Sequence, residues 1–60
     1  MIDEELLLFM AHIGGSFVRK LVELYFHADF NNKLRIESCF RDYFDKYREM
    51  YIQIKYKGGR

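Results

Sequence analysis

Placed on a helical wheel at about 100° per residue, positions 2–28 carry apolar side chains over a very wide arc. Ile2, Leu6, Met10, Ile13, Phe17, Leu21, Leu24 and Ala28 make one stripe, and Leu7, Ala11, Val18, Val22 and Tyr25 make a second beside it. Leu8 and Phe26 widen the arc, and Glu5, His12, Ser16, Arg19, Lys20, Glu23 and His27 share one narrow polar strip. A surface helix ordinarily shows an apolar stripe little more than ~100° wide, and this one is about twice that. A single neighbouring helix does not cover such a face. The pattern predicts an oligomer with the first helix near its centre, through an interface of Leu6, Met10, Ile13, Gly14, Phe17, Leu21 and Leu24.

Positions 33–57 predict a second helix of a different kind. Ile36, Cys39, Phe40, Tyr43, Phe44, Tyr47, Met50, Tyr51 and Ile54 fall on one face, and most of the charged residues fall on the other. Such a helix buries one side and sits on the outside of an assembly. The connection, Asp29-Phe30-Asn31-Asn32, is short and offers Asp and Asn side chains to cap a helix start. A connection of that length makes the helices antiparallel neighbours. Asp3, followed by Glu4 and Glu5, is the expected cap of the first helix, where the helix dipole favours acids.

Gly14-Gly15 interrupts the first helix. Two interior glycines cost roughly 2 kcal/mol against alanine. Gly14 lies on the apolar stripe, where it allows close approach of two backbones. The reading adopted is one helix kinked there; two helices, near 3–13 and 16–29 with Ser16 as a fresh cap, are the alternative. The fold class is therefore all-α: an antiparallel helical hairpin over residues 1–57, self-associating into a helical bundle, with a flexible tail over 58–60.

Length supports association. Sixty residues make one domain, and a chain that short buries only about 60% of its unfolded surface. Small domains add disulfides, a metal or a partner subunit. The single cysteine, Cys39, forms no internal disulfide, and one Cys with two His in no ligand spacing gives no metal site. A dimer is the expected solution. No cofactor is expected. The acidic start Asp3-Glu4-Glu5 is unlike a secretory signal. The longest apolar run, Leu6 to Ala11, falls far short of the ~20 residues of a membrane span. A cytoplasmic chain without a membrane partner is expected.

The charge is uneven. Residues 1–30 sum to −3 and residues 31–60 to +4. Opposite halves favour antiparallel docking, and the basic half attracts acidic partners.

The candidate chemistry is sparse. His12 and His27 share the polar strip but stand roughly 22 Å apart along a helix, too far to share a metal. Cys39 has no histidine near it in sequence and reads as a small core residue. Ser16 lacks a nucleophile-elbow context, and the glycine pair lacks a phosphate-binding pattern. These observations predict a protein that is not an enzyme. Tyr43, Tyr47 and Tyr51, on the aromatic ladder, are a candidate stacking platform for RNA or a nucleotide; a core lined by aromatics is the competing reading. Leu34, Ile52 and Tyr56 lie off the apolar stripe beside Arg41 and Arg48. That mixture has the composition of a protein–protein contact, so Leu34, Arg41, Arg48, Ile52 and Tyr56 form the candidate partner surface. Phe9 is a further apolar residue on the polar strip of the first helix.

The run GSFVRKLVELYFHAD…NNKLRIESCFRDYFDKYREM, within residues 15–50, resembles short accessory proteins encoded by bacteriophages. That resemblance implies a small protein that works by binding in the host cytoplasm, as an inhibitor of a host enzyme or defence complex. The predicted architecture is also similar to the plasmid Rop family, whose helical hairpins dimerise and bind paired RNA loops. That likeness is one of shape, without a shared residue motif. Taken together, the expected function is non-enzymatic protein binding by an oligomeric helical chain. An RNA-binding bundle and a structural subunit of a larger assembly are the alternatives.

Overall fold

The computed structural model describes residues 2–57, and the tail read over 58–60 lies outside them. The described residues form four helices and no strand: α1 (Glu4–Ile13), α2 (Gly15–His27), α3 (Phe30–Cys39) and α4 (Arg41–Lys57). The chain is all-α, as the periodicity requires, but it has four helices where the pattern predicted two.

The first correction is at the glycines. The kinked continuous helix does not form; the chain breaks. Gly14 caps α1, and its amide reaches the Met10 carbonyl at 2.8 Å. Gly15 then takes φ +83°, the left-handed conformation in which glycine commonly follows a helix cap. Each glycine is required for its own reason. A Cβ on Gly14 would stand 2.5 Å from the Val18 Cβ, whereas a Cβ on Gly15 would meet nothing but would sit on a backbone that L-residues avoid. Close packing of α1 on α2 is thus built into Gly14, and the reversal of direction into Gly15.

The reversal explains the wide apolar arc. Leu6, Leu7 and Met10 of α1 are buried in one cluster with Val18, Leu21, Val22 and Tyr25 of α2. These residues of the two stripes cover each other, while Leu8, Ile13, Phe17, Leu24 and Phe26 stay exposed. The accessible surface is 4659 Å², near the roughly 4,200 Å² of a compact monomer of this mass.

The second correction is at Phe40. The helix expected over 33–57 starts earlier, at Phe30, and is interrupted at Phe40 (φ −116°, ψ 31°). Asp29 caps its start by accepting from the Asn32 amide at 2.9 Å. No glycine or proline marks the interruption. The Phe40 ring instead sits in a triad with Phe17 and Tyr43, its centroid 6.2 and 6.1 Å from theirs. Hydrogen bonding continues through the bend, from the Phe40 amide to Ile36 and from the Phe44 amide to Phe40. α4 completes the core with Phe44 and Tyr47, and α3 adds Ile36.

Four smaller expectations change. Cys39, read as a core residue, is exposed. Phe9, read as a residue of the polar strip, packs on Tyr51 with ring centroids 5.3 Å apart. Asp3 precedes α1 in extended conformation, but its side chain makes no capping hydrogen bond, and Ser16 lies inside α2 without capping it.

Replacing Gly15 by alanine separates a broken helix from a continuous one by sign. The left-handed conformation predicts a loss of about 1–2 kcal/mol, or about 4–15 °C in Tm for a domain this small. A continuous helix would gain up to ~1 kcal/mol from the same change. Thermal unfolding of Gly15→Ala followed by circular dichroism checks it; a raised Tm would contradict the reversal.

Candidate functional site

A hollow of about 440 Å³ lies between the segment preceding α1, α3 and the first half of α4. Ile2, Leu34, Glu37, Ser38, Arg41, Phe44, Asp45 and Arg48 line it. Leu34, Glu37, Ser38, Arg41, Asp45 and Arg48 recur every three or four residues, so the face they share runs on past the bend at Phe40. A second, shallower hollow continues the first, sharing Asp45 and Arg48 and adding Glu49 and Ile52.

Four of the five residues read as a partner surface therefore share one continuous groove: Leu34, Arg41, Arg48 and Ile52. Tyr56 lines neither hollow; it is highly exposed near the end of α4. The groove also holds Ile2, Glu37, Ser38, Phe44 and Asp45, which the sequence reading did not single out. For Glu37, Ser38 and Asp45 a signal existed, since they stand three or four residues from Leu34 or Arg41. For Ile2 there was none, because only the reversal at Gly15 brings the N-terminal segment to α3.

The groove wall is anchored by one polar contact. The Tyr25 hydroxyl donates a short hydrogen bond to the Glu37 carboxylate. Burial pushes the phenol pKa up, the bond to Glu37 pushes it further, and the Ile2 backbone pulls it partly back, leaving it at about 12. Lys33 lies over the same ring, 5.4 Å from its centroid. Tyr25 thus joins α2 to α3 and the N-terminal segment, and it holds Glu37 in place.

The groove carries both signs of charge. Arg48 pairs with Asp45 at 3.5 Å, with both side chains largely exposed, and such pairs contribute little to stability. Arg41 forms no ion pair among the described residues.

The other sequence candidates are dispersed. Of the residues read as an oligomer interface, Leu6, Met10 and Leu21 are buried within the single chain, Gly14 makes the turn, and Ile13, Phe17 and Leu24 are exposed. Tyr43, Tyr47 and Tyr51 do not form an open platform. Tyr43 packs against Phe17 at 5.5 Å, Lys46 covers Tyr47, and Tyr51 lies between Phe9 and Lys55. The Tyr51 hydroxyl donates to Glu5 at 2.8 Å, and that bond raises its pKa. His12 and His27 are exposed. Among the described residues no group of three His, Cys, Asp or Glu is placed to hold a metal ion, and no helix is long and apolar enough to cross a membrane.

Comparison with known proteins returns no match: no family model, curated protein or solved structure aligns with the chain.

The raised Tyr25 pKa sets a pH dependence. The folded value, about 12, exceeds the unfolded value of 10.0. The stabilisation is therefore complete below pH 10 and is lost as pH rises toward 12. Urea unfolding at pH 8, 10 and 11 is expected to show falling stability. Tyr25→Phe should flatten Tyr25's share of that fall and lower stability at pH 8 by roughly 1–3 kcal/mol, since Glu37 loses its donor. Equal alkaline slopes for the two proteins would contradict the assignment.

Proposed function

We propose that the chain is a non-enzymatic binding protein that engages another protein through the groove running from Leu34 to Ile52. The observation that carries this reading is the convergence of Leu34, Arg41, Arg48 and Ile52 on one continuous hollow. The hollow joins apolar anchors to arginines, the mixture enriched in protein interfaces. The partner segment contributes an apolar side chain seated against Leu34 and Phe44, and a carboxylate that reaches Arg41. The Arg48–Asp45 pair, exposed and weak, opens at small cost to admit a second carboxylate. Occupation of the groove would work by occlusion, covering a working surface of the partner.

Mixed charge favours a protein over a nucleic acid. Phosphate backbones are met by a basic stripe, whereas here Glu37 and Asp45 alternate with Arg41 and Arg48. The tyrosines give the stacking reading little support, since neighbouring side chains already cover at least one face of each.

The test is capture with three baits: the native chain, Arg48→Glu with Ile52→Asp, and Lys20→Glu on the exposed side of α2 as control. A partner held by the native and control baits and lost by the groove variant is the expected outcome. Affinity measured on the purified pair should fall by about 100-fold, as for the loss of two interface anchors. Absence of any partner, or equal capture by the groove variant, would contradict the proposal.

A further inference from the structure

The apolar stripe of α4 outruns the rest of the molecule. Phe40, Tyr43, Phe44, Tyr47 and Tyr51 lie in or against the core. The same stripe continues through Met50 and Ile54, which are 36% and 55% exposed. On the other flank Ile52 and Tyr56 are 46% and 70% exposed. From Ile52 to Tyr56 every residue is exposed. The end of α4 is therefore a projecting helical turn with apolar side chains on two flanks, a pattern proper to a helix with neighbours on both sides.

The projection stands beside charge of the opposite sign. Tyr51 is bonded to Glu5, and Lys55 lies over the Tyr51 ring. The acidic turn Asp3-Glu4-Glu5 and the basic end of α4 are thus neighbours on one surface. A surface holding an acidic and a basic patch side by side is self-complementary under two-fold rotation, because each patch meets its opposite.

We infer that a second copy of this chain docks here, with the two α4 ends antiparallel across a two-fold axis and each basic end against the other's acidic turn. This site differs from the interface expected from the sequence, three of whose seven residues are consumed by the core. Of the other exposed apolar residues, Leu8, Ile13, Phe17, Leu24, Phe26 and Phe30, those around Leu24 suit a second copy less well. The hollow there is lined by Leu24, His27, Ala28, Asn32, Arg35 and Ile36 and offers no acid to meet Arg35. Taking about 200 Å² for a large side chain, the flank of Met50 and Ile54 offers roughly 180 Å², about a quarter of what a stable interface buries per partner, and charge pairing of Lys55 with the acidic turn adds to it. The dimer is accordingly a weak one.

Sedimentation equilibrium from about 10 µM to 1 mM, a range matched to a weak interface, tests the inference. The native chain should pass from monomer to dimer. Met50→Asp with Ile54→Asp should remain monomeric while keeping its helical circular dichroism, since both residues are exposed in the monomer. Lys55→Glu should raise the dimer dissociation constant by about tenfold or more. Ile13→Asp with Leu24→Asp, both exposed, should leave dimerisation intact. A native chain that stays monomeric throughout would overturn the inference, as would a dimer that survives Met50→Asp with Ile54→Asp or is abolished only by the Ile13 and Leu24 changes.

Discussion

A left-handed glycine decides how this chain uses its hydrophobic residues. Without a reversal at Gly15, residues 2–28 would form a rod with apolar groups around most of its circumference and would require several other helices to cover it. With the reversal, Leu6, Leu7 and Met10 meet Val18, Leu21 and Val22 inside one molecule. Gly14 allows the close approach, because no side chain fits between it and Val18. Hydrophobic burial is the driving term, but these two backbone positions determine whether it is satisfied within a chain or between chains.

The remaining architecture follows from where the reversal places Tyr25. Its ring is fully enclosed, packs 6.0 Å from Phe44, and carries a hydroxyl that reaches Glu37. One side chain therefore connects α2 with α3 and α4. The groove inherits its shape from that junction: Glu37 is fixed by Tyr25, Ile2 is brought alongside, and Leu34, Arg41 and Arg48 form the outer wall. What the small core leaves uncovered is also ordered. The groove presents mixed charge with a few apolar anchors, whereas the end of α4 presents apolar side chains beside an acidic turn.

Much of this was legible in the sequence, and the misreadings have physical causes. Helical periodicity gave the fold class, and Asp29 was one of three candidate caps, with Asn31 and Asn32, readable from residue type and place. The glycine pair was visible as a weak point, but its outcome was not. Periodicity describes a face without saying whether its partner lies in the same chain, and Gly15's left-handed geometry depends on that partner. The bend at Phe40 carries no local signal; it coincides with the contact of Phe17, Phe40 and Tyr43, residues distant in sequence. On the polar side, off-stripe Leu34 and Ile52 beside arginines were readable, since surface residues on a regular helix keep their spacing even across a mild bend. Ile2 required the tertiary structure, as did the bond of Glu37 to Tyr25, since these arise from the reversal.

The most direct test of the reversal is a distance within one chain. Isotope-labelled protein diluted into an excess of unlabelled chain restricts nuclear Overhauser contacts to intramolecular ones. The fold packs Ile2 against the core that holds Tyr25 and brings its backbone to the Tyr25 hydroxyl, so contacts between the ring protons and Ile2 are expected. A continuous helix would hold those residues roughly 35 Å apart at 1.5 Å per residue, far beyond the reach of such contacts. Their presence in the diluted sample is the result this account predicts. Their absence there, with contacts appearing only between chains, would contradict it and return the wide apolar face to the role of an intermolecular interface.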